Sequence, residues 1–437
     1  MSPPKAKPGA APASARESGA RIPGARAALA NPKFRNLWLA EMISQLGDGL
    51  TSLALLVVIH RLTGSVTALA AMAMTASLPQ LVFGLYAGVI ADRWDRRRLM
   101  IASDVLRGAA VLSLMWIHSK EQVPWLYVVG FFQATVGVFF EPARSAFLPS
   151  IVEAPSLLAA NALSQTARVS AGMAGAAIAG LLLTLPNGAP IAFGLDAVSF
   201  WVSAIFVASI PAVPRAAAAI GTRVTGHLEE LLLGLRYLFG NRLLIGLFVT
   251  FAIAMLGLGA INVLFIPFLV DELHCSTAVV GLARGAQMVG MLLGGLAVSA
   301  LARGFKPIAL VVLGICGLGL SFAGLGLLHQ PAPVVALLAV MGVCSSLLQA
   351  GTGTVLQVSV PDALRGRLES SLDTLLVLVL MLAMAGAGLL SDGLGTRRVL
   401  LLAGAAVLFA GLFGGAVMSG SQPDNVFDQG HRPEAGS

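Results

Sequence analysis

Long apolar runs, separated by short polar clusters, dominate this chain. They fall near 36–60, 67–90, 99–118, 125–148, 157–184, 190–211, 243–270, 278–301, 307–328, 333–358, 369–391 and 397–419. A helix needs about 20 apolar residues to cross the hydrocarbon core of a bilayer. Only helices and closed barrels satisfy their own backbone groups there, and these runs are too long and uniform for barrel strands. The pattern predicts an all-α membrane protein with twelve transmembrane helices.

The runs divide into two sets of six. Between them, residues 212–242 are polar and include HLEELLLGLRYLFGNRLL, in which Leu228, Leu231, Leu232, Leu235 and Leu238 recur at helical spacing. This reads as an amphipathic helix on the inner membrane face, joining an N-terminal half (34–211) to a C-terminal half (243–419). Residues 1–33 are rich in Ala, Pro and Gly and lack the apolar core of a signal peptide, so they read as a disordered cytoplasmic tail. Residues 420–437 read as a second, shorter tail. The halves show weak similarity: PSIVEAPSLLAANA from Pro149 aligns without a gap on PDALRGRLESSLDT from Pro361, placing Asn161 opposite Asp373. Two six-helix pseudo-repeats place a substrate site between them, near the bilayer midplane.

Composition sharpens this picture. Of 437 residues, 57% are hydrophobic and 11% charged, against about 25% charged in soluble domains. The net charge of +7 could suggest nucleic acid, but the cations sit in short loops between apolar runs. Placing both termini in the cytoplasm puts most Lys and Arg inside, leaving Arg61, Lys120, Arg397 and Arg398 outside, as the positive-inside rule requires. The three cysteines are expected as free thiols. No GxxxxGK[ST] loop, nucleophile–base arrangement or metal-ligand spacing occurs, so neither an enzyme, a cofactor nor a bound metal is expected.

Intramembrane charges default to functional candidates. Glu41 and Asp48 lie seven residues apart on one face of the first run. The pairs Asp104/Arg107 and Glu141/Arg144 are spaced i,i+3 and read as self-neutralising. Arg168, Asp196, Arg284 and Asp373 complete the set; Asp196 is expected near water at the outer end of its run. Asp48 has no cation within four residues, and Glu141 precedes Pro142, a candidate kink. A desolvated carboxyl favours its neutral form, which suits a proton carrier.

The stretch GLYAGVIADRWDRRR, from Gly84 to Arg98, resembles the signature loop of the major facilitator superfamily. FRNLWLAEMISQLGDGL in the first run, EPARSAFLPSIV ending the fourth and AGMAGAAIAGLL in the fifth narrow the resemblance to the bacterial drug:proton antiporter-3 branch of drug, macrolide and siderophore exporters. It covers nearly all of 34–419. It implies a cytoplasmic gate of Gly84, Gly88, Asp92, Arg93, Arg96 and Arg97, in which Asp92 faces the N-terminus of the eleventh helix, near Asp373. Gly84 and Gly88 form a small-xxx-small step for close helix approach. Two departures stand out. The fourth run carries Gln133 and Gly137 where the family usually places an arginine, and Gly175 is followed by Ala176 where the antiporter motif has proline.

The expectation is an alternating-access secondary transporter, exporting an amphipathic or lipophilic small molecule in exchange for protons. Asp48, Glu141 and Glu41 are the coupling candidates, and Gln45, Gln133, Asn262, Gln349 and Gln357 line the cavity. One proton contributes about 2.3 kcal/mol per 100 mV and about 1.4 kcal/mol per pH unit. Expected partners are the small-molecule substrate, protons and the lipid bilayer, without nucleic acid, for a monomer in the bacterial inner membrane. Two alternatives stay open: a lysophospholipid transporter of the same fold, and a non-transporting membrane sensor or scaffold.

Overall fold

The computed structural model describes residues 25–212, 224–301, 305–360 and 362–419. The tail expected over 1–24, the first part of the linker and the tail over 420–437 lie outside the described residues. Twelve long helices follow the apolar runs. In the first half they are α1 (Pro32–Thr63), α2 (Val66–Arg93), α3 (Arg96–Leu112), α4 (Val123–Ile151), α5 (Leu157–Leu182) and α6 (Gly188–Ser209). In the second they are α7 (Arg242–Pro267), α8 (Thr277–Leu301), α9 (Pro307–Leu327), α10 (Pro331–Ser359), α11 (Asp362–Leu394) and α12 (Thr396–Ser419). A linker helix, Val224–Gly240, joins the halves.

Among the described residues, eleven helices are long and apolar enough to cross a membrane. The exception among the twelve is α5. Its 26 residues suffice in length, but Asn161, Ser164, Gln165, Thr166, Arg168 and Ser170 crowd its first half. The tail expected up to residue 33 gives way to helix sooner. Ala25–Ala30 is helical, as its alanines favour, and Ala28 is buried in a cluster with Phe34, Leu37 and Ile151. Asn31 then caps α1, accepting from the amides of Lys33 and Phe34 and donating to the Ile151 carbonyl at 2.7 Å.

The two halves repeat each other's packing. α1 lies against α5 and α6 as α7 lies against α11 and α12, and α2–α4 matches α8–α10. Between the halves, α5 meets α8 and α2 meets α11, which are again equivalent pairs. Close approach depends on glycine. A Cβ on Gly49 would collide with the Gly172 carbonyl across the α1–α5 contact, and one on Gly180 with Gly281 across α5–α8.

Contact between the halves is concentrated on the face away from the termini. There His60 at the end of α1 meets Asp271 after α7 at 3.0 Å. Thr67 at the start of α2 donates to Asp392 at the end of α11 at 2.9 Å. A large apolar cluster includes Leu53, Leu69 and Phe193 of one half with Phe265, Phe268 and Met384 of the other. Toward the termini, two smaller clusters each belong to one half: Phe34, Leu37, Met100 and Phe147 in the first, Leu244, Val360, Leu368 and Leu372 in the second. Leu238 of the linker helix is buried in the latter, while Leu232, Leu233 and Phe239 are exposed.

The expected role of Gly84 and Gly88 as a close-approach step is not met. Among the described residues, a Cβ on Gly88 would touch nothing, and one on Gly84 would reach the side chain of Gln80. The physical reason is that this end of α2 lies where the halves share no core. Gly49→Val, which overpacks the α1–α5 contact, is expected to destabilise the fold by about 1–3 kcal/mol, whereas Gly88→Ala leaves it intact. Thermal unfolding of the purified variants in detergent checks this; equal stability of the two would contradict the assignment.

Candidate functional site

Among the described residues, the membrane-embedded charges sort into two clusters in the first half, with Arg284 and Asp373 standing apart in the second. In the first cluster, Asp48 sits mid-way along α1. Arg107 of α3 reaches it with Nη2 at 2.6 and 2.7 Å from the two carboxylate oxygens. Gln133 of α4 donates to Asp48 Oδ1 at 3.0 Å, and Gln45, one turn earlier on α1, to Oδ2 at 3.3 Å. The Arg107 guanidinium also stacks 4.1 Å over the ring of Phe200, a contact that favours a cation.

Arg107 does not neutralise Asp104, as the i,i+3 spacing suggests. Asp104 is fully buried against α6, where Ser203 donates to its Oδ2 at 2.7 Å. The long guanidinium instead extends across the half toward Gly137, a position without a side chain. The arginine that the fourth helix lacks is thus supplied from the third, and Gly137 leaves room for it.

Asp196 also departs from expectation. It is not near water but fully buried, packed against Gly47 of α1, where any larger residue would strike Asp196 Oδ1 and Ser199. Ser199 donates to Asp196 Oδ1 at 3.2 Å, and Thr51 faces it from α1. Asp196 Oδ2 and Asp104 Oδ1 are buried without hydrogen-bond partners. Asp104 and Asp196 are each within electrostatic reach of Asp48 and of its partner Arg107.

The second cluster lies closer to the termini face. Arg144 bridges Glu141 at 2.6 Å on its own helix and buried Glu41 of α1 at 3.2 Å. Arg168 of α5 binds Glu141 at 2.5 Å and Gln165 at 2.6 Å. Glu41 and Asp48, although on one face of α1, thus serve different networks. This one balances two carboxylates with two guanidiniums and ties α1, α4 and α5 together.

In the second half, Asn262 of α7 and Arg284 of α8 line two adjoining cavities. One, about 360 Å³, extends over Asp48, Arg107 and Gln133. The other, about 260 Å³, lies among Gln287, Gln349, Met255 and Met341. A third cavity of about 600 Å³ opens between α5 and α8, from Gln165 and Met173 to Met288, Met291 and Gln349. Gln357 is exposed two turns further along α10. The residues given to a gate are only partly visible. Asp92 ends α2, but its side chain lies outside the described residues. Asp373 lines a small pocket within the second half, beside Phe248 and Leu372. Arg96 donates to the Ala146 carbonyl at 2.8 Å, and Arg97 binds the Val207 and Ala208 carbonyls ending α6. These cations fasten neighbouring helix ends, and Asp95 caps α3 through the Arg98 amide at 2.9 Å.

Two packed six-helix halves around a central polar site define a multi-pass membrane transporter of the major facilitator type. The chain belongs to the family described as transmembrane secretion effector, whose profile matches residues 23–423. It is 24% identical over 381 residues to macrolide efflux protein A of Streptococcus pyogenes, spanning 86% of this chain and 93% of that one. It is 28% identical over 354 residues to the enterobactin exporter EntS of Escherichia coli O1:K1 / APEC, spanning 78% and 80%. Among solved structures, a bacterial homologue of the human lysosomal transporter Spinster superposes with a TM-score of 0.69 at 12% identity, covering 92% of this chain and 98% of that one. A bacterial homologue of the iron transporter ferroportin gives 0.68 at 16% identity, covering 89% and 98%. Both likenesses concern the fold. The chain is a transporter of small molecules and not an enzyme.

Removing one member of a buried ion pair strands the other, at about 3–5 kcal/mol, more than removing both. Arg107→Gln is expected to lower stability more than Asp48→Asn/Arg107→Gln does. A double-mutant cycle on thermal unfolding tests the pair; additive losses would show that Asp48 and Arg107 do not interact.

Proposed function

We propose that this protein exports an amphipathic or lipophilic small molecule from the cytoplasm by alternating access, coupled to proton entry. The observation carrying this reading is the charge imbalance around Asp48. Three carboxyls share one guanidinium, and two of them, Asp104 and Asp196, are fully buried. Three negative charges in an apolar bundle are held at a cost of several kcal/mol each when uncompensated. A proton on one carboxyl removes most of that cost, and its departure restores it. Such a group exchanges its proton when water or substrate reaches it.

Asp48 is the member placed for that exchange. It is part of the central cavity wall, while Asp104 and Asp196 lie behind it. The Glu41–Arg144–Glu141–Arg168 network is balanced in charge and acts as a brace. Placing the termini in the cytoplasm, as the loop cations favour, makes this an inward-facing arrangement in the inner membrane. The halves meet through His60–Asp271 and Thr67–Asp392 on the outer face, and α5 and α8 leave a cleft between them on the inner side. Both solved relatives above are themselves described as inward-facing. Export in particular is supported by the macrolide and enterobactin exporters at 24% and 28% identity.

One observation supports entry of the cargo from the bilayer. The α5–α8 cleft is edged by exposed Leu292 and Leu296 beside Met288 and Met291. Lateral entry from the bilayer fits a lysolipid as well as a lipophilic drug.

Proteoliposome flux across a solute panel, with and without an imposed pH gradient, tests both readings. Wild type is expected to accumulate at least one amphipathic solute only when a gradient is present. Asp48→Asn and Asp196→Asn are expected to insert normally and lose the gradient-driven component. Full gradient-driven flux in both variants would remove Asp48 and its neighbours from coupling.

A further inference from the structure

Arg284 stands apart from every other guanidinium in the middle of the bundle. Arg107 is committed to Asp48, and Arg144 and Arg168 to Glu41 and Glu141. Among the described residues Arg284 has no carboxylate partner. Its Nη1 donates to Gln287 Oε1, one turn along α8, at 3.2 Å. The guanidinium carbon lies 4.4 Å above the ring of buried Phe265 on α7. The described acidic side chains of this half stand far along the bundle: Asp271, Glu272 and Asp392 toward the outer face, Asp373 toward the inner one.

An unpaired cation in the membrane interior is costly, and more so where snorkelling is impossible. Arg284 cannot reach a membrane surface while stacked on Phe265. It is fixed where it is: one face on an aromatic ring, one nitrogen held by an amide, and the rest of its donor fork turned to the two cavities it lines with Asn262. Those cavities are otherwise walled largely by apolar side chains, among them Leu55, Met72, Met255 and Leu258. A guanidinium fork matches carboxylate and phosphate oxygens two at a time. The apolar walls accept a lipophilic body.

We infer that Arg284, with Asn262 and Gln287 around it, is a binding site for the acidic head of an amphipathic monoanion, a carboxylate or phosphate carried on a lipophilic body. This deepens the transporter reading by naming the charge class of its cargo. The site stands on the opposite wall of the cavity from Asp48, so an anionic cargo and a proton would occupy different walls of one space.

Binding alone tests this, without any gradient, so its outcome is separate from that of the coupling experiment. Isothermal titration of the full-length purified protein would compare 4-phenylbutyrate, the uncharged 4-phenylbutyramide and 4-phenylbutylammonium. The three share a body and differ in the head. A charge-assisted hydrogen bond contributes about 1.5–3 kcal/mol, so the carboxylate is expected to bind wild type roughly tenfold or more tightly than the amide, with the cation weakest. Arg284→Gln should erase that preference while still binding the amide, and Arg284→Lys should keep part of it. Displacement of bound phenylbutyrate by lysophosphatidic acid would support the site with a lipid phosphate as its anion, and resistance to displacement would support it with a soluble acid. Absent carboxylate binding to wild type, equal binding of the three heads, or an anion preference that survives in Arg284→Gln would overturn the inference. Should Arg284→Gln fail to fold, Arg284→Lys carries the same test, and a carboxylate preference undiminished in it would overturn the inference.

Discussion

The ion pair between Asp48 and Arg107 is the constraint around which the first half is arranged. A carboxylate mid-way along a membrane helix is tolerable only with a cation in contact, and the cation must come from another helix. Arg107 supplies it from α3, and the rest follows. Gly137 on α4 gives the guanidinium room, Phe200 on α6 offers it a ring face, and Gln133 and Gln45 complete the coordination of Asp48. Gly47, next to Asp48, lets α6 bring Asp196 against α1. Small residues here serve polar packing as much as helix approach.

The halves repeat one another in packing but differ in chemistry. The first carries both networks of paired charges. The second presents one unpaired guanidinium in the middle of its bundle, against amides and an apolar wall. The asymmetry divides the work in the proposed mechanism: protons on the first half, cargo charge on the second. Rocking between two arrangements requires that neither be locked. On the face away from the termini the halves meet through the polar contacts His60–Asp271 and Thr67–Asp392 beside a shared apolar cluster, and breaking the polar contacts exposes groups that water can satisfy.

The fold was legible from the apolar runs, because span length and hydropathy are set by the bilayer rather than by neighbours. Eleven runs meet that criterion as helices, and α5 is longer than the bilayer requires but polar. The candidate site was legible in its members and not in its pairings. Gln45 and Gln133 both donate to Asp48, and all three stand out in the sequence because intramembrane polar residues are scarce. Local spacing misassigned Arg107 to Asp104 because an i,i+3 rule cannot see a carboxylate on another helix, and Arg107 is long enough to choose. Asp196 was placed near water from its distance to a helix end, whereas its exposure depends on α1 passing beside it. Arg284 was visible as a charge, but that no described carboxylate pairs with it is a tertiary fact. Among the described residues, Gly84 and Gly88 carry no close contact with another helix, because the clusters at that end each belong to one half.

If one buried carboxyl near Arg107 carries a proton, the protein should hold a neutral carboxylic acid at neutral pH in its resting state. Infrared difference spectroscopy reads this directly from the carbonyl stretch of a protonated carboxyl. The account predicts such a band in wild type, shifting in deuterium oxide and lost or diminished in Asp196→Asn or Asp104→Asn. A spectrum without any protonated-carboxyl band at neutral pH, or one unchanged in both variants, would contradict it.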